Sequence, residues 1–119
     1  MSMALGGSGA LLMRVRRDCL YVDAADFATH MANVSNVALL REGDDLLILP
    51  ICGAEAGGFL VKQVNARGDR AIHAADFLRL NGIDENRDFP IDATWTEARA
   101  GFLVVGFFAD EQTWLAMRK

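Results

Sequence analysis

The chain contains few residues of the types that carry out acid–base or metal chemistry near neutral pH. There are two histidines, His30 and His73, and two cysteines, Cys19 and Cys52. Structural zinc sites commonly take their ligands in pairs separated by two to four residues, whereas these four residues are scattered along the chain. We therefore expect no metal site, and we expect each histidine to be a surface or capping residue rather than a catalytic one.

Nucleophilic catalysis is not indicated either, because no serine or cysteine lies in a recognisable nucleophile motif. Six of the sixteen acidic residues lie in two short segments, residues 42–45 and residues 84–88. These segments are predicted to be a turn and a loop, where solvated carboxylates need no further function. The sequence therefore identifies no catalytic residue and implies no cofactor.

Basic residues form two clusters that are better candidates for a binding site: Arg14, Arg16 and Arg17, and then Lys62, Arg67 and Arg70. Residues two apart on a strand share a face, so Arg14 and Arg16 are expected to project together. Two such hairpins could contact the phosphates of a nucleic acid, which gives affinity but little sequence information. The alternative is that these side chains solvate edge strands and pair with the abundant acids.

The elements that carry these residues are predicted from apolar runs and turn signals. Residues 11–15 and 19–22 indicate a tight hairpin, and Asp23 is expected to cap a helix beginning at Ala24. A second hairpin is expected on either side of residues 42–45. Residues 59–64 and 70–73 give a third pair of strands, and residues 89–95 and 102–108 give a fourth.

An internal repeat suggests how these elements are grouped. The segment Ala24–Phe27 recurs as Ala74–Phe77, and the apolar and polar runs around both copies follow the same order. That order predicts two copies of one unit. We therefore predict an α+β, β-rich fold made of two tandem β-β-α-β-β repeats, which share one core because a unit of this size buries too little apolar surface alone.

The predicted organisation has five segments. A tail expected to be disordered (residues 1–10) precedes the first repeat (11–52), a Gly-rich linker (53–58) and the second repeat (59–108), and a C-terminal helical tail (109–119) ends the chain. The linker lacks the Lys-Ser/Thr ending of a phosphate-binding loop. A joint between the two repeats is therefore the expected role of this segment.

Composition bears on partners and location. The chain has 119 residues, of which 52% are hydrophobic, and its net charge is −4. The acidic balance disfavours indiscriminate binding to nucleic acid or anionic lipid, and no apolar run is long enough to span a membrane. The absence of a signal-peptide pattern and of a disulfide framework predicts a cytoplasmic protein.

The apolar excess in so small a chain favours a buried subunit interface, so we expect a homo-oligomer. The candidate interface residues are Phe107, Phe108 and Trp114, all near the C-terminus. A tightly packed monomer is the alternative explanation of the same composition.

Residues 61–72 (VKQVNARGDRAI) followed by residues 75–83 (ADFLRLNGI) resemble the AbrB/MraZ superfamily. Its members have a strand, a Gly-containing turn, a short strand and a small helix, and they are built from intertwined hairpins. They are commonly small DNA-binding regulators or antitoxins. The resemblance covers nearly all of residues 11–108, and it implies that the phosphate-contacting residues are Arg14, Arg16, Arg17, Lys62, Arg67 and Arg70.

Three hypotheses on function follow. The first is a non-enzymatic protein-interaction or assembly module that associates with itself. The second is an AbrB/MraZ-like DNA-binding transcriptional regulator. The third is a small-ligand binder or enzyme that uses a pocket between the repeats. One scaffold can serve all three functions, so the structure of the surface has to separate them.

Overall fold

The computed structural model describes residues 10–51, 58–83 and 87–109. Within these ranges the chain forms eight strands and two short helices. The strands are β1 (Ala10–Arg16), β2 (Cys19–Val22), β3 (Asn36–Glu42), β4 (Asp45–Ile51), β5 (Phe59–Gln63), β6 (Arg70–His73), β7 (Asp88–Thr96) and β8 (Gly101–Val104). Helix α1 (Ala24–His30) connects β2 to β3, and helix α2 (Ala75–Leu80) lies between β6 and β7.

All eight strands form one closed antiparallel barrel, in the order β1-β2-β6-β5-β3-β4-β8-β7. Strand β7 closes the barrel by pairing with β1 over the whole length of β1, from Ala10 opposite Thr94 to Arg16 opposite Asp88. Closure satisfies the backbone N–H and C=O groups that an open sheet would leave unpaired at its two edges.

The predicted fold class was wrong. We expected an α+β fold of two tandem β-β-α-β-β repeats, whereas the protein is a mostly β barrel with two short helices. The hairpins from the two parts of the chain alternate around the barrel, because β2 pairs with β6, β3 with β5, β4 with β8 and β7 with β1. Local patterns predicted the strands but carried no information on which hairpins become neighbours.

The core fills the barrel interior through alternation along the strands. In β1, Leu11, Met13 and Val15 are buried and the residues between them are exposed. A period of two is what an extended strand with one apolar side produces. The fully buried side chains from the other strands include Leu20, Val22, Val37, Leu46, Ile48 and Ile72.

The helices add to the same core. Asp23 caps α1 as predicted, since its side chain accepts a hydrogen bond from the backbone N–H of Asp26 at 2.9 Å. Helix α1 buries Phe27, and α2 buries Leu78. Because each helix has fewer than eight residues, burial rather than intrinsic helix propensity must hold it in place.

Two of the three candidate interface residues belong to the core. Phe107 and Phe108 follow β8 and are only 1% and 7% exposed, and their rings meet edge to face with centroids 4.9 Å apart. The backbone N–H of Phe108 also donates to the carbonyl of Asp44 at 2.8 Å. These phenylalanines therefore offer no surface to a partner, and Trp114 lies outside the described residues, as does most of the predicted C-terminal tail.

No helix in the described part of the chain combines the length and the apolar character needed to cross a membrane.

Two neighbouring residues where the β7–β8 turn meets β8 should respond oppositely to substitution: Gly101, the first residue of β8, and Ala100, the last residue of the turn. Gly101 lies so close to β4 that an added Cβ would stand 2.5 Å from Leu49 Cδ2 and 2.8 Å from the Ile48 carbonyl oxygen. We expect Gly101→Ala to lower the free energy of unfolding by about 1–3 kcal/mol, as measured by urea denaturation. Wild-type stability in this variant would contradict the close approach of β8 to β4.

Ala100 provides the matched control, because its φ of 54° lies in the left-handed region. Relief of about 1 kcal/mol of backbone strain should offset the greater unfolded-state entropy of glycine. Ala100→Gly is therefore expected to be as stable as the wild type or more stable.

Candidate functional site

The barrel places the two basic hairpins side by side. Strand β2 pairs with β6 from Cys19 opposite His73 to Val22 opposite Arg70, which makes β1, β2, β6 and β5 four consecutive strands of the wall. We call the outer side of these strands the basic face, and its residues are Arg14, Arg16, Arg17, Cys19, Tyr21, Lys62 and His73.

Two rows of side chains cross the basic face, because residues directly opposite each other in antiparallel strands project to the same side. In the first row, Arg14 lies opposite Tyr21, Tyr21 opposite Ala71, and Ala71 opposite Lys62. In the second row, Arg16 lies opposite Cys19 and Cys19 opposite His73. The barrel thus brings cations from both hairpins into one surface.

A single carboxylate holds the two arginines of β1. Asp88 on β7 lies 2.6 Å from Arg14 Nε and 4.0 Å from Arg16 Nε. Both arginine side chains remain more than half exposed, at 52% and 55%. Such exposed pairs contribute little to stability, so these guanidinium groups can exchange Asp88 for another anion at small cost.

The remaining four predicted cations differ in their surroundings. Arg17 lies in the β1–β2 turn and Lys62 on the outer side of β5, and both are exposed; neither makes an ion pair within the described residues. Arg67 donates to Asp69, with Nε 3.1 Å from Oδ2. Arg70 lies opposite the buried Val22 and stacks over the Phe27 ring, 4.2 Å from its centroid.

Arg70 is partly buried on the core side of β6. The Nε atom of Arg70 has no hydrogen-bond partner among the described residues. The structure therefore gathers Arg14, Arg16, Arg17 and Lys62 on one surface. It assigns Arg67 to a turn contact and Arg70 to an aromatic stack.

The centre of the face carries polar side chains. Cys19 Sγ lies 3.3 Å from His73 Nδ1. Burial raises the pKa of the Cys19 thiol, the charge of Asp18 adds to this, and a hydrogen bond with Tyr21 acts in the opposite direction. Since the thiolate is the nucleophile and the metal ligand, a protonated Cys19 is suited to neither role at neutral pH.

Tyr21 also remains neutral. Burial and the neighbouring Cys19 raise the pKa of its phenol, against the effect of Arg16 and Arg17. His30, the other histidine, lies at the end of α1 with its ring edge-on to Phe102, at 6.3 Å between centroids. No group of three histidine, cysteine or acidic side chains in the described ranges is arranged to hold a metal ion, and Cys52 lies outside those ranges.

Sequence reasoning did not single out Asp69, yet this residue fixes the β5–β6 turn beside the basic face. Its Oδ1 accepts the backbone N–H of Ala24 at 2.7 Å, and its Oδ2 accepts Asn65 Nδ2 at 2.9 Å as well as Arg67. These bonds hold the pKa of Asp69 at about 2, below its ordinary 3.8, with the Arg67 bond as the largest cause. The local signal was the Asn65–Asp69 spacing in a Gly-containing turn.

Asp69 and Asp23 also border two adjoining clefts, of about 260 and 400 Å³. Both clefts combine residues from the two parts of the chain, with Leu12 and Tyr21 on the wall of the smaller one. Both oxygens of Asp69 are already bonded, so this carboxylate is not free to bind a ligand.

Comparison of the chain with protein-family models, curated proteins and solved structures found no match. The AbrB/MraZ resemblance therefore stays a prediction from the sequence.

Acid should destabilise the fold partly through Asp69. A carboxylate whose folded-state pKa is depressed stabilises the fold fully above its unfolded pKa, near 3.8, and this contribution is lost as the pH falls toward about 2. We expect Asp69→Asn to lower the melting temperature at neutral pH and to weaken the fall in stability between about pH 4 and pH 2.

Asp76→Asn is the control, because Asp76 pairs with Arg79 on α2 and its side chain is 92% exposed. The control should match the wild type in its melting temperature at neutral pH and in its loss of stability between about pH 4 and pH 2. An equal acid response of Asp69→Asn and the wild type would show that the bonds of Asp69 do not contribute to stability.

Proposed function

We propose that this protein binds nucleic acid through the basic face, by contact with the phosphate backbone. The observation that supports this proposal is the pairing of β2 with β6, which merges two basic hairpins into one surface. Phosphate contacts from arginine and lysine give strong, salt-dependent affinity without sequence specificity. A cytoplasmic location is part of the proposal.

The charges of the face favour a polyanion over a small acidic ligand. Arg14, Arg16 and Lys62 are spread across the outer side of the wall, with Arg17 in the turn above them. Spread cations match repeated phosphates better than a single carboxylate. The net charge of −4 means that attraction is local to this face, since the rest of the protein repels a polyanion.

Arg14→Ala combined with Arg16→Ala tests the proposal. We expect the affinity for mixed-sequence DNA at low salt to fall by about tenfold or more. The slope of log K against log salt should also decrease by about one for each phosphate that the variant no longer binds. Fluorescence anisotropy over a salt series measures both quantities.

The matched control removes two arginines elsewhere. Arg79 on α2 pairs with Asp76, and Arg99 in the β7–β8 turn pairs with Glu42, so the double variant Arg79→Ala, Arg99→Ala changes the net charge equally. This control should retain wild-type binding. Equal reductions of affinity in the two double variants would indicate a general charge effect and refute a specific face.

Asp88→Asn should change binding in the opposite direction. This substitution removes the anion that competes for Arg14 and Arg16. We expect the affinity to rise severalfold at low salt. The gain over the wild type should be smaller at higher salt, because salt screens the charges. Unchanged affinity in Asp88→Asn would mean that these arginines do not contact phosphate.

Self-association is a second candidate function. On the wall opposite the basic face, three leucines form a row, since Leu40 lies opposite Leu47 and Leu47 opposite Leu103, although Leu47 itself is fully buried. Leu40 is 42% exposed. If two copies pack through this side, the native mass should rise with protein concentration. Leu40→Lys should then lower the native mass measured at the same concentration. A concentration-independent monomer mass would exclude this candidate.

A further inference from the structure

Tyr21 occupies the middle of the basic face. It lies between Arg14 on β1 and Ala71 on β6, and its side chain is partly exposed. Ala71 is fully buried and contributes only a methyl group, so no bulky side chain of β6 stands between Tyr21 and Lys62. The row therefore has a cation at each end, Arg14 and Lys62, and the phenol ring of Tyr21 is its one aromatic group.

The spacing of that row suits a chain that crosses the strands. Arg14 and Lys62 are separated by three inter-strand steps, or about 14 Å, with Tyr21 one step from Arg14. Proteins that bind single-stranded nucleic acid combine cations along the backbone path with aromatic rings on which bases stack. This row has both components in one line.

The described part of the chain offers no element suited to reading a duplex. Entry into the major groove needs a helix or a two-stranded ribbon that projects from the protein. Helices α1 and α2 have seven and six residues and bury Phe27 and Leu78. Each strand of the basic face is paired on both sides within the barrel wall, so the face presents a continuous surface.

We infer that the ligand of the basic face is single-stranded nucleic acid, with one base stacked on Tyr21 and the flanking phosphates bound by Arg14 and Lys62. This inference rests on the proposed function. Stacking is tolerant of sequence because every base has a π-face, so one ring would add affinity for unpaired bases without selecting among them.

Three probes of equal length test this inference: a mixed-sequence single-stranded DNA, its duplex, and an abasic single strand that keeps the phosphates but lacks the bases. At low salt the wild type should bind the normal single strand about tenfold more tightly than the abasic strand, and more tightly than the duplex. The comparison with the abasic strand uses the wild-type protein and so does not depend on whether a variant folds.

Tyr21→Leu and Tyr21→Phe assign the effect to the ring. Tyr21→Leu should remove the difference between normal and abasic strands by lowering the affinity for the normal strand, and Tyr21→Phe should keep most of that difference. Melting curves establish that both variants are folded.

Equal affinity of the wild type for normal and abasic strands, or for single strand and duplex, would overturn the single-strand assignment while leaving salt-dependent backbone binding intact. Failure of all three probes to bind would instead overturn the proposed function.

Discussion

The pairing of β2 with β6 is the interaction on which the rest of this structure depends. On its inner side it brings Leu20 opposite Ile72, both fully buried, and so joins the two parts of the chain through one core. On its outer side the same register brings Tyr21 opposite Ala71 and joins two basic hairpins into one surface. Stability and the candidate site therefore arise from the same backbone hydrogen bonds, because side chains alternate between the two sides of a strand.

Two aspartates near the basic face have different roles. Asp69 has its oxygens occupied by a backbone N–H, an amide and Arg67, which fixes a turn against the start of α1. Asp88 pairs with two exposed arginines, and it lies closer to Arg14 than to Arg16. A carboxylate within a hydrogen-bond network resists exchange, whereas an exposed pair is readily replaced. The first aspartate thus maintains the shape of the face, and the second controls how available its charge is.

Local features of the sequence were sufficient for local structure. The cap at Asp23, the hairpin around the turn after Arg16 and the shared face of Arg14 and Arg16 depend on residues close together in the chain. The prediction failed where distant segments meet. Phe107 and Phe108 were expected at the end of a strand over residues 102–108 and at an interface, but the strand ends at Val104 and both side chains are buried in the core. Apolar character alone does not distinguish a core residue from an interface residue.

The sequence by itself determined the strands, the capped first helix and two clusters of basic residues, because apolar runs and turn chemistry act over a few residues. The tertiary structure decided that these strands form one closed barrel rather than two repeats. It also decided that four of the six cations share a surface centred on Tyr21, while Arg67 and Arg70 are held elsewhere. The physical reason is that strand order around a barrel follows from long-range pairing and core packing, which no local pattern records.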